Sequence, residues 1–246
     1  MQSLTKKRIE MEIERLRELV RPSRKLEQYS TPAAIVSDML WEEIVSGRAF
    51  TRELVVDLGA GTGRICIGAA KFLGRECIGI EIDRVQARAF LENASAFDVA
   101  ERVHIVVADV RMLPLRGGLK ASVMMNPPFG TSRRGMDRVF LERALDLGPS
   151  RVYSVHMHNL KSLELFRRLA EAWGYTLIKH KQHQMLLKQT MEHHRARTRR
   201  IPVMLLVFER RGGEQKNVQA RKDERCDTGR HSSDYRGVSS GRERIR

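Results

Sequence analysis

The sequence predicts a doubly wound α/β fold, in which helices cover both faces of a mostly parallel, seven-stranded sheet. Short apolar segments alternate with helical stretches along most of the 246 residues, the pattern of parallel strands joined by crossover helices. The apolar segments are almost continuous, as expected of strands buried on both faces. A glycine-rich turn follows the first of them. Together these observations predict a Rossmann-like domain.

Two helices are predicted before the first strand. Apolar residues recur at spacings of three and four over residues 6–20, with charges between them, which predicts an amphipathic helix. They are Ile9, Ile13, Leu16 and Val20. Thr31 and Pro32 are a typical N-cap and first helical position, so a second helix is expected from there to about Gly47.

Seven strands are expected after these helices. The apolar segments that predict them are residues 54–58, 77–82, 103–107, 120–125, 151–155, 175–187 and 201–208, the last two as a closing pair. Residues after 210 include almost no large apolar side chain, so they are expected to be disordered. We therefore expect a helical extension and cofactor lid over 1–48, the α/β domain over 49–210 and a basic tail over 211–246.

The charge is unevenly distributed. Lys and Arg number 45 against 30 Asp and Glu, a net charge of +15. Residues 1–25, 179–200 and 210–246 carry +4, +6 and +5, which accounts for the whole excess and leaves the remainder neutral. An excess of this size is typical of proteins that bind polyanions such as nucleic acid. No apolar run is long enough to span a bilayer, so a soluble, cytoplasmic protein is expected.

The cysteines predict neither a disulfide framework nor a zinc site. Cys66, Cys77 and Cys226 contain no CxxC pair, and Cys66 and Cys77 are expected simply to pack in the core. His193 and His194 have no partner at metal-ligand spacing, so no metal is expected.

The glycine-rich turn runs from Asp57 through Gly59 and Gly61 to Gly63, between the first strand and a helix. Such a turn lets a ligand approach the backbone closely, whether a dinucleotide or a nucleoside, although tight packing is an alternative. Glu81, at the end of the second strand, is placed to accept both hydroxyls of a ribose. Asp109, after the third strand, can accept from an adenine amino group. The alternatives are a solvated acid at a strand end for Glu81 and a simple turn acid for Asp109.

The sequence Asn126-Pro127-Pro128-Phe129 follows the fourth strand, at the crevice where open α/β sheets bind ligands. The prolines restrict the backbone so that the Pro127 carbonyl and the Asn126 side-chain oxygen can point into one pocket. Two convergent acceptors suit a planar NH2 group, and Phe129 can stack on the ring that bears it.

With these motifs the sequence resembles the class I S-adenosylmethionine-dependent methyltransferases that methylate amino groups, and within them the methyltransferase-like-five family. The motifs that carry the resemblance are Leu26-Glu27-Gln28-Tyr29 before Thr31-Pro32, Asp57-Leu58-Gly59, Gly79 to Asp83, Met125 to Thr131, and Val152-Tyr153-Ser154 followed by His156. The resemblance covers about residues 20–210. It implies N6-methylation of an adenosine in small-subunit ribosomal RNA, with S-adenosylmethionine as cofactor.

The resemblance also implies residue roles. Gln28, Tyr29 and Thr31 would close over the methionine end of the cofactor. Asp57, Gly59, Gly61, Gly63, Glu81, Ile82, Asp109, Val110 and Asn126 would line the rest. Glu81 stands where an Asp is common. Asn126, Pro127, Pro128 and Phe129 would form the catalytic pocket.

Basic residues near the motif and in the last third are expected to bind RNA phosphates. They are Arg133, Arg134, Lys179, Lys181, His193, His194, Arg195, Arg197, Arg199 and Arg200. Plain solvation is the alternative for the loop arginines Arg133 and Arg134.

The third strand is expected at a sheet edge, yet Val103, Ile105 and Val107 lack the charges that usually protect an edge. Strand addition by a partner explains this, and the resemblance supplies one, a small zinc-binding activator subunit. Coverage by the N-terminal helix is the alternative. Methylation of a protein glutamine at N5 or of DNA adenine at N6 stays open as the activity, as does a non-catalytic RNA-binding role.

Overall fold

The computed structural model describes residues 3–23, 25–130, 134–191 and 194–212. The strands are β1 (Leu54–Leu58), β2 (Cys77–Glu81), β3 (Val103–Val107), β4 (Ala121–Met125), β5 (Arg151–Met157), β6 (Tyr175–Met191) and β7 (His194–Arg210). The helices are α1 (Lys6–Glu14), α2 (Ala33–Val45), α3 (Arg64–Gly68), α4 (Arg84–Ala96), α5 (Met136–Asp146) and α6 (Leu160–Ala172), and a π-helical turn extends α3 over Ala69–Leu73. The chain to Arg211 forms one compact unit.

The seven strands form one sheet in the order β3-β2-β1-β4-β5-β7-β6. The first five strands run parallel. β7 is antiparallel to β5, and β6 pairs antiparallel with β7 at the outer edge. The predicted mostly parallel, seven-stranded fold is confirmed. The predicted disordered tail lies outside the described residues.

Apolar side chains fill both faces of the sheet. On one face, α1 to α4 pack over a cluster that contains Ile9, Ile35 and Phe90. On the other, α5 and α6 cover a cluster that contains Leu141 and Phe166. The near-continuous apolar strands are explained by this burial on both sides.

Both N-terminal helices differ from the predicted bounds. α1 ends at Glu14, because the backbone that follows bonds to core side chains instead: the Arg17 amide donates to Asn93 Oδ1 at 3.1 Å. The Val20 amide likewise donates to Gln86 Oε1 at 3.1 Å. α2 begins at Ala33, since Pro32 has the extended angles φ −55° and ψ 137° of a cap.

The two core cysteines form a disulfide, contrary to the sequence prediction. Cys66 on α3 and Cys77 at the start of β2 are fully buried and bonded, with their Cα atoms 5.3 Å apart. The prediction failed because α3 folds back over the neighbouring strand, which brings two residues 11 positions apart into contact.

β3 lies at the edge of the sheet, as predicted. Val103 is buried, Ile105 is partly buried and Val107 is 47% exposed. α1 packs against α2 and α3, so the carboxyl end of this edge remains open within the described residues. Across the same residues, no helix is long and apolar enough to cross a membrane.

Candidate active site

A cleft lies at the carboxyl ends of β1, β2 and β4, with about 840 Å³ of open space including its mouth. A concave, mostly apolar cleft with a few polar groups is typical of small-molecule sites. The predicted residues that line it are Gln28, Tyr29, Gly59, Gly61, Glu81, Ile82, Asp109, Val110, Asn126 and Pro128. A smaller adjoining compartment contains Thr31 and Asp57 together with Gly59, Gly61 and Asn126. Gly63, Pro127 and Phe129 do not line either space.

The glycine-rich turn requires glycine for two separate reasons. Gly59, Gly61 and Gly63 all have positive φ, at 79°, 53° and 87°, a region that disfavours other residues. A Cβ at Gly63 would also lie 2.4 Å from the ring of Phe90. Gly63 is therefore a packing residue that sets the path of the turn, while the other two glycines face the cleft.

Glu81 is already committed to the turn through its hydrogen bonds. Its Oε2 accepts from the Gly61 amide at 2.8 Å, and its Oε1 accepts from the Asp83 amide at 2.8 Å. Burial raises the pKa of this carboxyl, although these amides oppose the shift. Each oxygen keeps a second lone pair, so the predicted ribose contact is compatible with this arrangement.

Asp57 is buried with neither carboxylate oxygen in a side-chain hydrogen bond. Burial raises its pKa well above the ordinary range, and the negative charge of Glu81 adds to the effect. A buried carboxylate without a cation is costly. The smaller compartment therefore favours a positively charged ligand group beside Asp57.

Asn126 presents a buried acceptor at the boundary of the two spaces. Its Oδ1 has no hydrogen-bond partner, and the residue lines both the main cleft and the smaller compartment. Phe129 is buried and stacks on Tyr29, with ring centroids 6.2 Å apart and an angle of 17°. The predicted base-stacking face of Phe129 therefore lies against Tyr29 in this structure.

The segment before α2 covers the cleft and is hydrogen-bonded to Asp83, the N-cap of α4. Gln28 donates from Nε2 to Asp83 Oδ2 at 3.0 Å and accepts from the Ser23 amide at 2.7 Å. On the opposite side Asp109 accepts from the Arg111 amide at 2.9 Å and pairs with its guanidinium at 2.5 Å. Asp109 thus lies in the cleft but shares its charge with Arg111.

The predicted RNA-binding residues are dispersed. Lys179 forms an ion pair with Glu42, and Lys181 lies 2.6 Å from Asp38, so both help to hold β6 against α2. Arg134, Arg199 and Arg200 are exposed. His194, Arg195 and Arg197 lie on β7 with side chains outside the described set, and Arg133 and His193 are outside the described residues.

Sequence reasoning missed several residues of the site. Leu19, Met136 and Phe140 contribute apolar walls to the main cleft, and Arg64 lines the smaller compartment. Arg64 directly follows the glycine-rich turn, and this position could have identified it as a residue of the site. The apolar walls have no comparable local signal, because distant segments supply them.

S-adenosylmethionine combines a nucleoside with a zwitterionic amino acid, and the cleft fits both parts. Glu81 and Asp109 supply acceptors along the main cleft, where a nucleoside needs them. The unpartnered carboxylate of Asp57 lies in the smaller compartment, where an ammonium group would neutralise it. A seven-stranded sheet of this order with such a cleft defines a class I S-adenosylmethionine-dependent methyltransferase.

Known proteins confirm this class and narrow it. A protein of Methanocaldococcus jannaschii, itself uncharacterised, is 30% identical over 220 residues, which cover 86% of this chain and 97% of that protein. The rRNA N6-adenosine-methyltransferase Mettl5 of Drosophila melanogaster is 35% identical over 152 residues, which cover 61% of this chain and 70% of that protein. No protein-family model matches the chain.

A solved structure agrees with these relatives. A provisionally assigned RNA methyltransferase of Pyrococcus horikoshii superposes with a TM-score of 0.75 at 28% identity, covering 85% of this chain and 99% of that one. The chain belongs to the METTL5 family of methyltransferases.

Proposed function

We propose that this protein transfers a methyl group from S-adenosylmethionine to the exocyclic N6 of an adenosine in small-subunit ribosomal RNA. The observation that carries the proposal is Asn126, whose buried Oδ1 faces the cleft with no partner of its own. An amino group that enters the cleft supplies the missing hydrogen. The Drosophila relative, named an rRNA N6-adenosine-methyltransferase, supports the same substrate class.

The residues after β4 act on the amino group by positioning it. The N6 lone pair of adenine is delocalised into the ring, so this nitrogen is a poor nucleophile. Acceptance of an N6 hydrogen by Asn126 favours a more pyramidal nitrogen and stabilises its developing positive charge. The Pro127 carbonyl, which the sequence predicts as the second acceptor, does not line the cleft in this structure. S-adenosylmethionine, when bound, would supply the electrophilic methyl group: its S–CH3 bond breaks as the N–CH3 bond forms, S-adenosylhomocysteine leaves, and the N6 proton is released to water. The main contribution of the chain is alignment of the reacting atoms.

The target base must leave its stack to reach Asn126. Phe129 is the candidate stacking partner, but Tyr29 now covers its ring. Entry of the base therefore requires Tyr29 to shift or to become the outer member of the stack. Stacking on either ring offsets part of the few kcal/mol that unstacking costs.

The β6–β7 hairpin is the proposed RNA-binding arm. Its pairing with β5 ends at Met157 and Val203, whereas β6 continues to Met191. At about 3.3 Å a residue, the eight residues from Gln184 to Met191 extend roughly 25 Å past β5, on the side where Asn126 follows β4. The arm carries Arg199 and Arg200, which are exposed.

The RNA-binding proposal is tested by salt dependence. Arg199→Ala with Arg200→Ala is expected to lower the slope of log affinity against log salt by about two, because each phosphate contact contributes about 0.9. Removal of residues 212–246, which carry nine basic and six acidic residues, is expected to lower it further without changing which base is modified. An unchanged slope in both proteins would count against the arm and the tail.

We also propose that a small zinc-binding activator subunit adds a strand to the free edge of β3. Val107 is 47% exposed there, and Ile82, next to its β2 partner Glu81, is 45% exposed. Val107→Lys is expected to abolish co-purification with the activator while S-adenosylhomocysteine still binds. A complex that survives this substitution would exclude the β3 edge as the activator-binding site.

Ribosomal RNA as substrate is consistent with a cytoplasmic location.

The substrate is identified with three pools. The protein, with and without activator, is incubated with labelled S-adenosylmethionine and small-subunit RNA, DNA or ribosomal protein. We expect label only in RNA, recovered as N6-methyladenosine after nuclease digestion. Label in protein as N5-methylglutamine, or in DNA as N6-methyladenine, would replace the proposed substrate. Cofactor binding without transfer to any pool would favour the non-catalytic RNA-binding role.

A further inference from the structure

The smaller compartment of the cleft contains two buried groups of opposite charge. Asp57 lies on one wall and Arg64 on another, around about 330 Å³ of open space. Asp57 is 1% exposed and Arg64 is 6% exposed. A carboxyl group and a guanidinium held apart in one compartment can pair with the ammonium and the carboxylate of a zwitterionic ligand, which a neutral ligand does not offer.

Arg64 is only partly satisfied by the protein. It is the first residue of α3, and its Nη1 donates to the Thr31 carbonyl at 3.1 Å. Its Nη2 approaches the Leu16 carbonyl at 3.5 Å, and its Nε is buried with no partner. The nearest carboxylate, on Glu14, is 3.8 Å away and 67% exposed. The guanidinium therefore keeps unused donors and most of its charge inside the protein.

We propose that Arg64 binds the α-carboxylate of the amino-acid end of S-adenosylmethionine, while Asp57 faces the α-ammonium. The proposal rests on the proposed function only in taking S-adenosylmethionine as the ligand. A planar guanidinium with adjacent free donors matches a carboxylate bidentately, which an ammonium side chain cannot do. An incoming carboxylate also supplies the counter-ion that the buried guanidinium lacks.

The same guanidinium couples the ligand to the segment that covers the cleft. Thr31 and Leu16, whose carbonyls it contacts, lie at the two ends of the stretch that contributes Leu19 and Tyr29 to the walls. Binding of the carboxylate thus stabilises the orientation of Arg64 and, through it, the closed position of this stretch. A purely structural role for Arg64 predicts instead that its substitution weakens all ligands of the cleft equally, with or without a carboxylate.

The test compares three ligands by calorimetry. S-adenosylhomocysteine carries both the amine and the carboxylate, its decarboxylated analogue carries only the amine, and 5′-methylthioadenosine carries neither. Arg64→Met is expected to weaken S-adenosylhomocysteine about 10- to 100-fold, the loss of a charge-assisted hydrogen-bonded pair. The other two ligands are expected to keep their affinity within about two-fold.

A matched control distinguishes a direct contact between Arg64 and the ligand carboxylate from the general effect of removing one positive charge. Arg88 on α4 has a side chain that is 85% exposed, so Arg88→Met is expected to leave all three affinities unchanged. Arg64→Lys, which keeps the charge but not the planar fork, is expected to lose affinity only for S-adenosylhomocysteine, by less than Arg64→Met. If Arg64→Met does not fold, the affinities of Arg64→Lys for the three ligands test the proposed carboxylate contact.

Two outcomes would overturn the inference, and they are distinguishable. Equal weakening of all three ligands would show that Arg64 only holds the covering stretch, and unchanged affinity for S-adenosylhomocysteine would remove it from the site. In both cases the proposed methyl transfer stands. If the unaltered protein binds none of the three ligands, the proposed function fails together with the inference.

Discussion

Two asparagines near the cleft differ sharply in their hydrogen bonds, and this difference predicts opposite effects of substitution. Asn93 on α4 is buried, accepts from the Arg17 amide at 3.1 Å, and donates to the Arg17 carbonyl at 3.2 Å and the Thr62 carbonyl at 2.9 Å. Asn126 has a buried Oδ1 with no partner. Asn93 thus joins the N-terminal segment to the core, whereas Asn126 has an acceptor to offer a substrate.

The magnitudes follow from these contacts. Asn93→Ala loses three hydrogen bonds at about 1 kcal/mol each, so the free energy of unfolding should fall by about 3 kcal/mol. For a chain of this size that is roughly 6–12 °C in Tm. Because Asn126 Oδ1 accepts no hydrogen bond in the folded protein, Asn126→Ala leaves no donor without its partner there. The free energy of unfolding should therefore change by less than about 1 kcal/mol. Its methyl-transfer rate should fall at least about 100-fold, as when one preorganised transition-state contact is removed.

Single-turnover transfer at saturating S-adenosylmethionine measures the chemical step, and calorimetry with S-adenosylhomocysteine measures binding. We expect Asn126→Ala to bind S-adenosylhomocysteine within a few-fold of the unaltered protein. Asn93→Ala should retain most of its transfer rate well below its lowered Tm. Transfer by Asn126→Ala within ten-fold of the unaltered rate would refute the catalytic role of its side-chain oxygen.

Three further predictions concern the turn, the buried carboxylate and the disulfide. Gly63→Ala should lower the free energy of unfolding in urea by about 3 kcal/mol, from its left-handed φ and its 2.4 Å clash. Gly74→Ala, with φ +64° and no atom near its Cβ, should lose only about 1–2 kcal/mol; equal losses would exclude the clash. Asp57→Asn should raise the Tm of the ligand-free protein and weaken S-adenosylhomocysteine. Because burial raises the pKa of Asp57, the stability contributed by its protonated form is full below about pH 4, the pKa of aspartate in an unfolded chain, and is lost as the pH rises through the raised pKa. The Tm advantage of Asp57→Asn should therefore grow with pH, and an advantage that shrinks would contradict this. Reduction of the disulfide between Cys66 and Cys77 opens an 11-residue loop and should cost about 3 kcal/mol. Cys77→Ser should not respond to reductant, and an equal response would assign the effect elsewhere.

The fold and the central motifs were predictable because their signals are local. Alternating apolar and helical segments predicted the sheet, and Asp57, Glu81 and Asn126 each lie at or just past the carboxyl end of a strand. Carboxyl ends of parallel strands meet at one edge of a sheet, so these three residues had to converge. The open edge at β3 followed from the same topology.

Long-range contacts account for what the sequence did not predict. Lys179 looked like part of a phosphate track, but it pairs with Glu42, 137 positions earlier in the chain. Phe129 was expected to present a free face, yet its ring lies against Tyr29 from the covering segment. Both outcomes depend on how the N-terminal segments pack, which no local pattern encodes.

The sequence by itself determined the class of protein, because a glycine-rich turn, an acidic residue and an Asn-Pro-Pro-Phe motif at successive strand ends are typical of that class. The tertiary structure alone decided which polar groups remain available for ligands. Of the buried groups at the cleft, Glu81 accepts short hydrogen bonds from two backbone amides, whereas Asp57 has no side-chain partner and the Asn126 oxygen has no partner. Hydrogen-bond satisfaction depends on atoms brought together from distant segments, and it is this satisfaction that separates a structural polar group from a binding one.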